Sequence, residues 1–271
     1  MREYFRKHPV VAILYVSFMD LVLFELLYYL WHVLGYSETT NEYFFIREII
    51  IKVLPVFFIA FFVGTLDSLK SPFNNLGKSL LSGIVILTIA ILGSIAMVKV
   101  STQAGAKLKA PSEIVFYVLF LLMLGLSEEL LMRGTITRIL AEKFGKEGKG
   151  MWLTVLIGAV FFGLYHLPNY QSSHDLEATL LQVIGTAMTG MLLCAIYVKW
   201  GNLLGVIILH STIDFMTMSE SGLIEGKSIS DRINDGNGNL KQVLISHSIF
   251  VIAALVVMIH KKKATNSDVG S

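Results

Sequence analysis

Apolar residues come in long runs along this chain, and the polar positions between them mark where one run ends and the next begins. Runs of about 17–25 mainly apolar residues are long enough to cross a bilayer as helices. Eight follow one another: Val10–Leu34, Ile46–Leu66, Leu80–Val98, Ser112–Leu140, Met151–Leu167, Ala178–Val198, Asn202–Met218 and Val243–His260. The pattern predicts an all-α polytopic membrane protein, a bundle of about eight transmembrane helices. The fourth run is the longest and is expected to bend or leave the membrane after Gly134. The first follows a basic start (Arg2, Arg6, Lys7) and reaches Leu34 without the small-residue cleavage site of a signal peptide, so it is read as a retained span.

Composition agrees with this reading. The chain has 271 residues, of which 54% are hydrophobic and 15% charged, whereas a soluble domain carries about 25% charged residues. A formal charge of +2 gives no ground for a nucleic-acid partner. Cys194 is the single cysteine, which excludes a disulfide framework and a paired-cysteine metal site; it is expected to be a small buried hydrophobe. Basic residues in loops set orientation. With the N-terminus inside, the inner segments hold twelve lysines and arginines, ending with Lys261, Lys262 and Lys263, against seven in the outer ones. Both termini are therefore expected to be cytoplasmic. Residues 1–263 read as one integral membrane domain with a motif-bearing core at 112–218, and 264–271 as a short disordered tail. The acidic, glycine-containing stretch from Asp231 to Asn239 lacks the glycine and glutamate of a calcium loop and reads as a solvated turn.

Candidate chemistry begins at Gly125-Leu-Ser-Glu-Glu-Leu-Leu-Met-Arg-Gly134. A charge at the centre of a membrane helix costs about 2.5–3.5 kcal/mol on insertion scales, so such charges are paired or functional. Glu129 and Arg133 are four apart on one helix face and form a natural ion pair. Glu128 is turned about 100° from its neighbour and is left to face something else. Two later spans carry similar i, i+4 pairs: Phe162 with His166, and His210 with Asp214. Each has a bland reading, as an interfacial helix end or an interhelical clasp; together they point to a site. Asp20 reads as a bundle clasp or a minor wall of that site. Glu48 and Lys52 read as an ion pair near the outer surface, and Gly201 and Gly205 as a close-packing pair beside the site.

The ordered set EExxxR (Glu128, Glu129, Arg133), FxxxH (Phe162, His166) and HxxxD (His210, Asp214) resembles the CPBP family, the CAAX proteases and bacteriocin-processing enzymes also called Abi. The resemblance covers about residues 112–218. It implies a helical bundle with a polar, water-filled intramembrane cavity open to the cytoplasm, and an intramembrane endopeptidase whose partners are the bilayer and a membrane-associated peptide or protein substrate. It assigns water activation to Glu128, with Glu129 held by Arg133, proton sharing to His166, oxyanion stabilisation to His210 and its partner, and substrate contact to Phe162. Asp214 stands where the family commonly has asparagine. An ionised aspartate accepts hydrogen bonds only, so it is expected to orient His210. A zinc ion or another divalent metal on Glu128, His166 and His210 is one option; glutamate-dependent hydrolysis without metal is the other. The chain has no HExxH, GxSxG or GxGD motif. The competing readings are a non-catalytic membrane scaffold or regulator, a bacteriocin self-immunity protein, and a proton-coupled transporter.

Overall fold

The computed structural model describes residues 2–35, 40–229 and 239–260. The stretch 231–238, most of the proposed solvated turn, lies outside the described residues, as do Lys261–Lys263 and the tail 264–271. Among the described residues the regular structure is helical, apart from an isolated bridge between Leu108 and Ile224. Eight helices build the bundle. They are α1 (Pro9–Val33), α2 (residues 41–63), α3 (Ile84–Gln103), α4 (Pro111–Phe144), α5 (Gly148–Leu164), α6 (Leu176–Trp200), α7 (Leu203–Thr217) and α8 (Leu240–Ile259).

Six membrane-crossing segments, all but α2 and α7, are long and apolar enough by length and composition. The exceptions are informative. α7 has 15 residues, about 22 Å at 1.5 Å per residue, and is shorter than the hydrocarbon core. α2 begins at Asn41, earlier than its apolar run, and is interrupted by a π-helical turn at Ile49–Val53. The fourth run neither breaks nor leaves the bundle at Gly134. It changes to π-helix over Leu130–Thr137 and continues to Phe144. π-Turns inside α-helices are frequent at functional sites, and here both lie next to the glutamate pair.

The helix ends follow from local chemistry. Pro9 and Pro111 occupy first-turn positions, where a missing N–H costs nothing. Thr40, Asp175, Asn202 and Asn239 cap α2, α6, α7 and α8 by accepting from backbone N–H groups. Gly201 ends α6 in the left-handed region, φ 65°. The expected close-packing pair is thus half realised: Gly201 is a helix cap, and Gly205 alone meets the Leu76–Ser82 helix, where a Cβ would come within 2.5 Å of Ser79.

α4 and α6 form the centre, with 56% and 61% of their apolar windows buried, against 22%, 17% and 17% for α1, α3 and α8. Leu14, Phe18, Leu92, Ile95, Val256 and Ile259 point outward from the rim helices, as lipid-facing side chains do. Cys194 is free and fully buried, as expected. The closest crossing that matters for the site is α4 against α7. Ser211 Oγ donates to Leu121 O at 2.9 Å, and a Cβ on Gly125 would overlap Ser211 Oγ and lie 3.2 Å from Ile207 O. Without a side chain at position 125 the two backbones approach closely enough for α4 glutamates to reach an α7 histidine.

Candidate active site

The two glutamates of α4 lie in different surroundings. Glu129 is fully buried, and its Oε1 accepts from Arg133 Nη1 at 2.8 Å. The same oxygen is 2.7 Å from His210 Nδ1. Arg133 is itself enclosed. Its Nη2 donates to Gly190 O at 3.1 Å, and its guanidinium lies 4.2 Å from the Phe162 ring centre, a cation–π arrangement. Glycine at 190 leaves room for that ring, since a Cβ would stand 2.6 Å from it.

Glu128 faces the other way. Its Oε1 is 3.6 Å from Lys52 Nζ, and its Oε2 is 3.7 Å from His210 Nε2. Oε2 is buried and accepts no hydrogen bond from a described protein group. His210 Nε2 is also 3.3 Å from Asp214 Oδ2, a second buried oxygen without a protein hydrogen bond. Two bare carboxylate oxygens and one imidazole nitrogen therefore converge on a single spot.

His166 Nδ1 is 2.9 Å from the carbonyl oxygen of Phe162. A carbonyl only accepts, so Nδ1 carries the proton there and Nε2 holds the lone pair in the neutral ring. His166 interacts electrostatically with Glu128. The Phe162 ring separates the two imidazoles and meets both edge-on, with centroids 5.1 Å from His166 and 5.5 Å from His210. Glu128, Glu129 and Arg133 of α4, Phe162 of α5 with His166 in the turn after it, and His210 and Asp214 of α7 thus form one cluster.

Residues 110–216 match the family model described as type II CAAX prenyl endopeptidase Rce1-like. The motif-bearing core is similar to the CAAX endopeptidase family over this segment. The match runs from the start of α4 to the end of α7 and covers all three motifs; α1, α2, α3 and α8 lie outside it. No curated protein and no solved structure gave a match. With six helices long and apolar enough to cross a membrane, the chain is an integral multi-pass membrane protein.

Several sequence expectations change in detail within this core. Glu129, not Asp214, holds His210 Nδ1; Asp214 sits at Nε2, the nitrogen expected to face substrate. Phe162, expected to touch substrate, is 2% exposed and enclosed by Arg133 and the two histidines. Glu128, expected to be unpaired, has Lys52 beside it. The expected ion pair of Glu48 and Lys52 is redirected: Lys52 reaches Glu128, and Glu48 Oε1 accepts from Ser127 Oγ at 3.0 Å. Asp20 of α1 is buried in the same neighbourhood and hydrogen-bonded to Tyr165. The signal that could have found Lys52 was present, since an ionisable residue in an apolar span is a functional candidate by default.

Among the described residues no three His, Cys, Asp or Glu side chains are grouped as metal ligands. Nδ1 of each site histidine is engaged by a carbonyl or a carboxylate, which leaves Nε2 of each as the nitrogen that would meet a metal. A cavity of about 320 Å³ is lined by Phe5, Val63, Thr65, Arg138 and Glu142 among others, none of them a motif residue.

Proposed function

We propose that this protein is an intramembrane endopeptidase that hydrolyses a peptide bond by direct attack of water, with Glu128 as general base. The observation that carries the reading is where the pair's partners lie: Glu129 Oε1 is held by Arg133 and by His210 Nδ1, while Glu128 turns its unbonded Oε2 toward His210 Nε2, the other edge of the same ring.

In the first step Glu128 takes a proton from water as the water oxygen bonds to the scissile carbonyl carbon. The carbonyl π pair moves to oxygen and forms the tetrahedral oxyanion. A hydrogen bond from His210 Nε2–H stabilises that charge, worth roughly 2.7–4 kcal/mol for one well-placed donor. In the second step the oxyanion collapses, the C–N bond breaks, and the departing nitrogen takes the proton back from Glu128. One water is consumed, and an acid and an amine are released. His166 presents its Nε2 lone pair to share the proton on the attacking water. Glu129, Arg133 and Phe162 are positioning residues: the pair fixes the His210 ring through Nδ1, and the phenyl ring sets the separation of the two imidazoles. Asp214 supports the protonated state of His210 at Nε2.

Both termini are placed on the cytoplasmic side in this reading. Contacts at the bundle ends support the alternation it needs. Segments assigned to the outer face meet one another, with Lys109 N bonded to Leu223 O and Asn41 Nδ2 to Gly222 O. Segments assigned to the inner face do the same, with Asn75 Nδ2 on Trp200 O and Asn202 Nδ2 on Pro72 O. The test of function is purified protein in lipid vesicles with a library of membrane-anchored peptides, read by mass spectrometry. The expected result is a pair of fragments whose masses sum to the substrate plus one water. Intact peptides throughout a broad library would contradict the reading.

A further inference from the structure

Each glutamate of the pair has its own cation. Arg133, one turn along α4, serves Glu129 at 2.8 Å. Lys52 serves Glu128 at 3.6 Å and comes from a different helix, outside the segment that matches the CAAX endopeptidase family. Both cations stand in π-helical turns, Leu130–Thr137 and Ile49–Val53. We infer that Lys52 is the counter-ion of Glu128, a positioning residue that holds the base as a carboxylate and leaves its second oxygen free for water. The inference rests on the reading of Glu128 as the base.

Lys52 also attracts Glu48, most strongly, and Asp20, but Glu128 is the acid whose oxygen it approaches to 3.6 Å. The other two have another partner: Ser127 Oγ donates to Glu48, and Tyr165 is hydrogen-bonded to Asp20. The remaining charged or titratable neighbours of Glu128 are His166 on α5, His210 and Asp214 on α7, and Glu129 and Arg133 on α4. Arg133 is committed to Glu129, which leaves Lys52 as the cation on the Glu128 Oε1 side. The Lys52 side chain is 23% exposed, against 1% for Arg133. A flexible ammonium engages one carboxylate oxygen as a point charge, and Lys52 lies on the Oε1 side of Glu128, leaving Oε2 unbonded. Arg133 spans Glu129 Oε1 and Gly190 O as a fixed fork. Burying a carboxylate without a partner is costly enough that the group neutralises instead, so loss of Lys52 is expected to leave Glu128 protonated.

The experiment is infrared difference spectroscopy of purified protein in lipid at neutral pH, reading the carbonyl stretch of a protonated side-chain carboxyl. Wild type is compared with Lys52→Met, Lys52→Arg, Glu128→Gln and the Lys52→Met/Glu128→Gln double variant, with the amide band reporting fold. The expected result is a protonated-carboxyl band in Lys52→Met that is absent from the double variant, from wild type and from Lys52→Arg. Peptide hydrolysis by Lys52→Met is expected to fall about tenfold or more in kcat with KM little changed, and Lys52→Arg to recover part of that loss. No band in Lys52→Met, or a band that survives in the double variant and so belongs to another acid, overturns the inference. If the band behaves as expected but Glu128→Gln hydrolyses peptide like wild type, the counter-ion stands and the general-base reading falls.

Discussion

A single carboxylate oxygen of Glu129 receives both Arg133 Nη1, at 2.8 Å, and His210 Nδ1, at 2.7 Å. The i, i+4 ion pair of α4 is thereby joined to the histidine of α7, and the orientation of the His210 ring depends on a salt bridge it does not belong to. Removing the cation leaves a fully buried carboxylate without its charge partner. Breaking a buried pair from one side typically costs about 3–5 kcal/mol. Arg133→Ala is therefore expected to lower the unfolding midpoint in detergent sharply. Arg133→Lys is expected to recover only part of it, because one ammonium cannot reach both Glu129 Oε1 and Gly190 O. A midpoint unchanged in Arg133→Ala would show that the pair does not hold the site together.

Gly125 sets how near α4 and α7 can come. Its replacement by alanine puts a methyl group against Ser211 Oγ and Ile207 O. Overpacking of this kind costs about 1–3 kcal/mol, and here the strain separates the helices that carry Glu128 and His210. Gly125→Ala is expected to retain its helical circular dichroism and lose most peptide hydrolysis. Activity equal to wild type would mean that the crossing does not control the site.

Much of this was legible in the sequence. All eight apolar runs became helices with ends close to those expected, because a bilayer leaves few alternatives to a helix for an apolar run of that length. The Glu129–Arg133 pair was legible because its partners lie on one helix face. The Glu129–His210 contact was not, since spacing within a helix carries no information about which residue of another helix it will face. Lys52 was misread for the same reason. Its local spacing to Glu48 suggested a pair within α2, whereas the π-turn at Ile49–Val53 and the packing of α2 on α4 bring it to Glu128. Asp214 was given the orienting role because an ionised carboxylate only accepts hydrogen bonds, and it does lie beside the ring, at Nε2, while Glu129 holds Nδ1.

The proposed water attack uses Glu128 as base and needs no resident metal. Dialysis of purified protein against a strong chelator is expected to leave the peptide cleavage rate unchanged. A loss of rate that added zinc restores would contradict this and would place Glu128, His166 and His210 in a ligand role.

At one end of the bundle, Asp67, just past the second apolar run, is bound through both oxygens by Arg138 of α4, with Nη2 at 2.9 Å from Oδ2. Hydrogen bonds from that guanidinium hold the Asp67 carboxyl below its ordinary value of 3.8. A carboxyl lowered in the folded state adds stability above its unfolded value and loses it as pH falls through the folded one. The pair is partly exposed, so its worth is less than about 1 kcal/mol. Asp67→Asn is expected to unfold at a slightly lower temperature than wild type at neutral pH, and the gap is expected to close in acid well below 3.8. A gap independent of pH would assign the effect to packing instead.

The central claim is that Glu128 activates the attacking water while Glu129 positions His210. The most direct measurement is the single-turnover cleavage rate of a membrane-anchored peptide by Glu128→Gln, an isosteric change that keeps the shape and removes the base. The account predicts a fall of at least about two orders of magnitude, with substrate affinity and unfolding midpoint close to wild type. Cleavage by Glu128→Gln at the wild-type rate would contradict it.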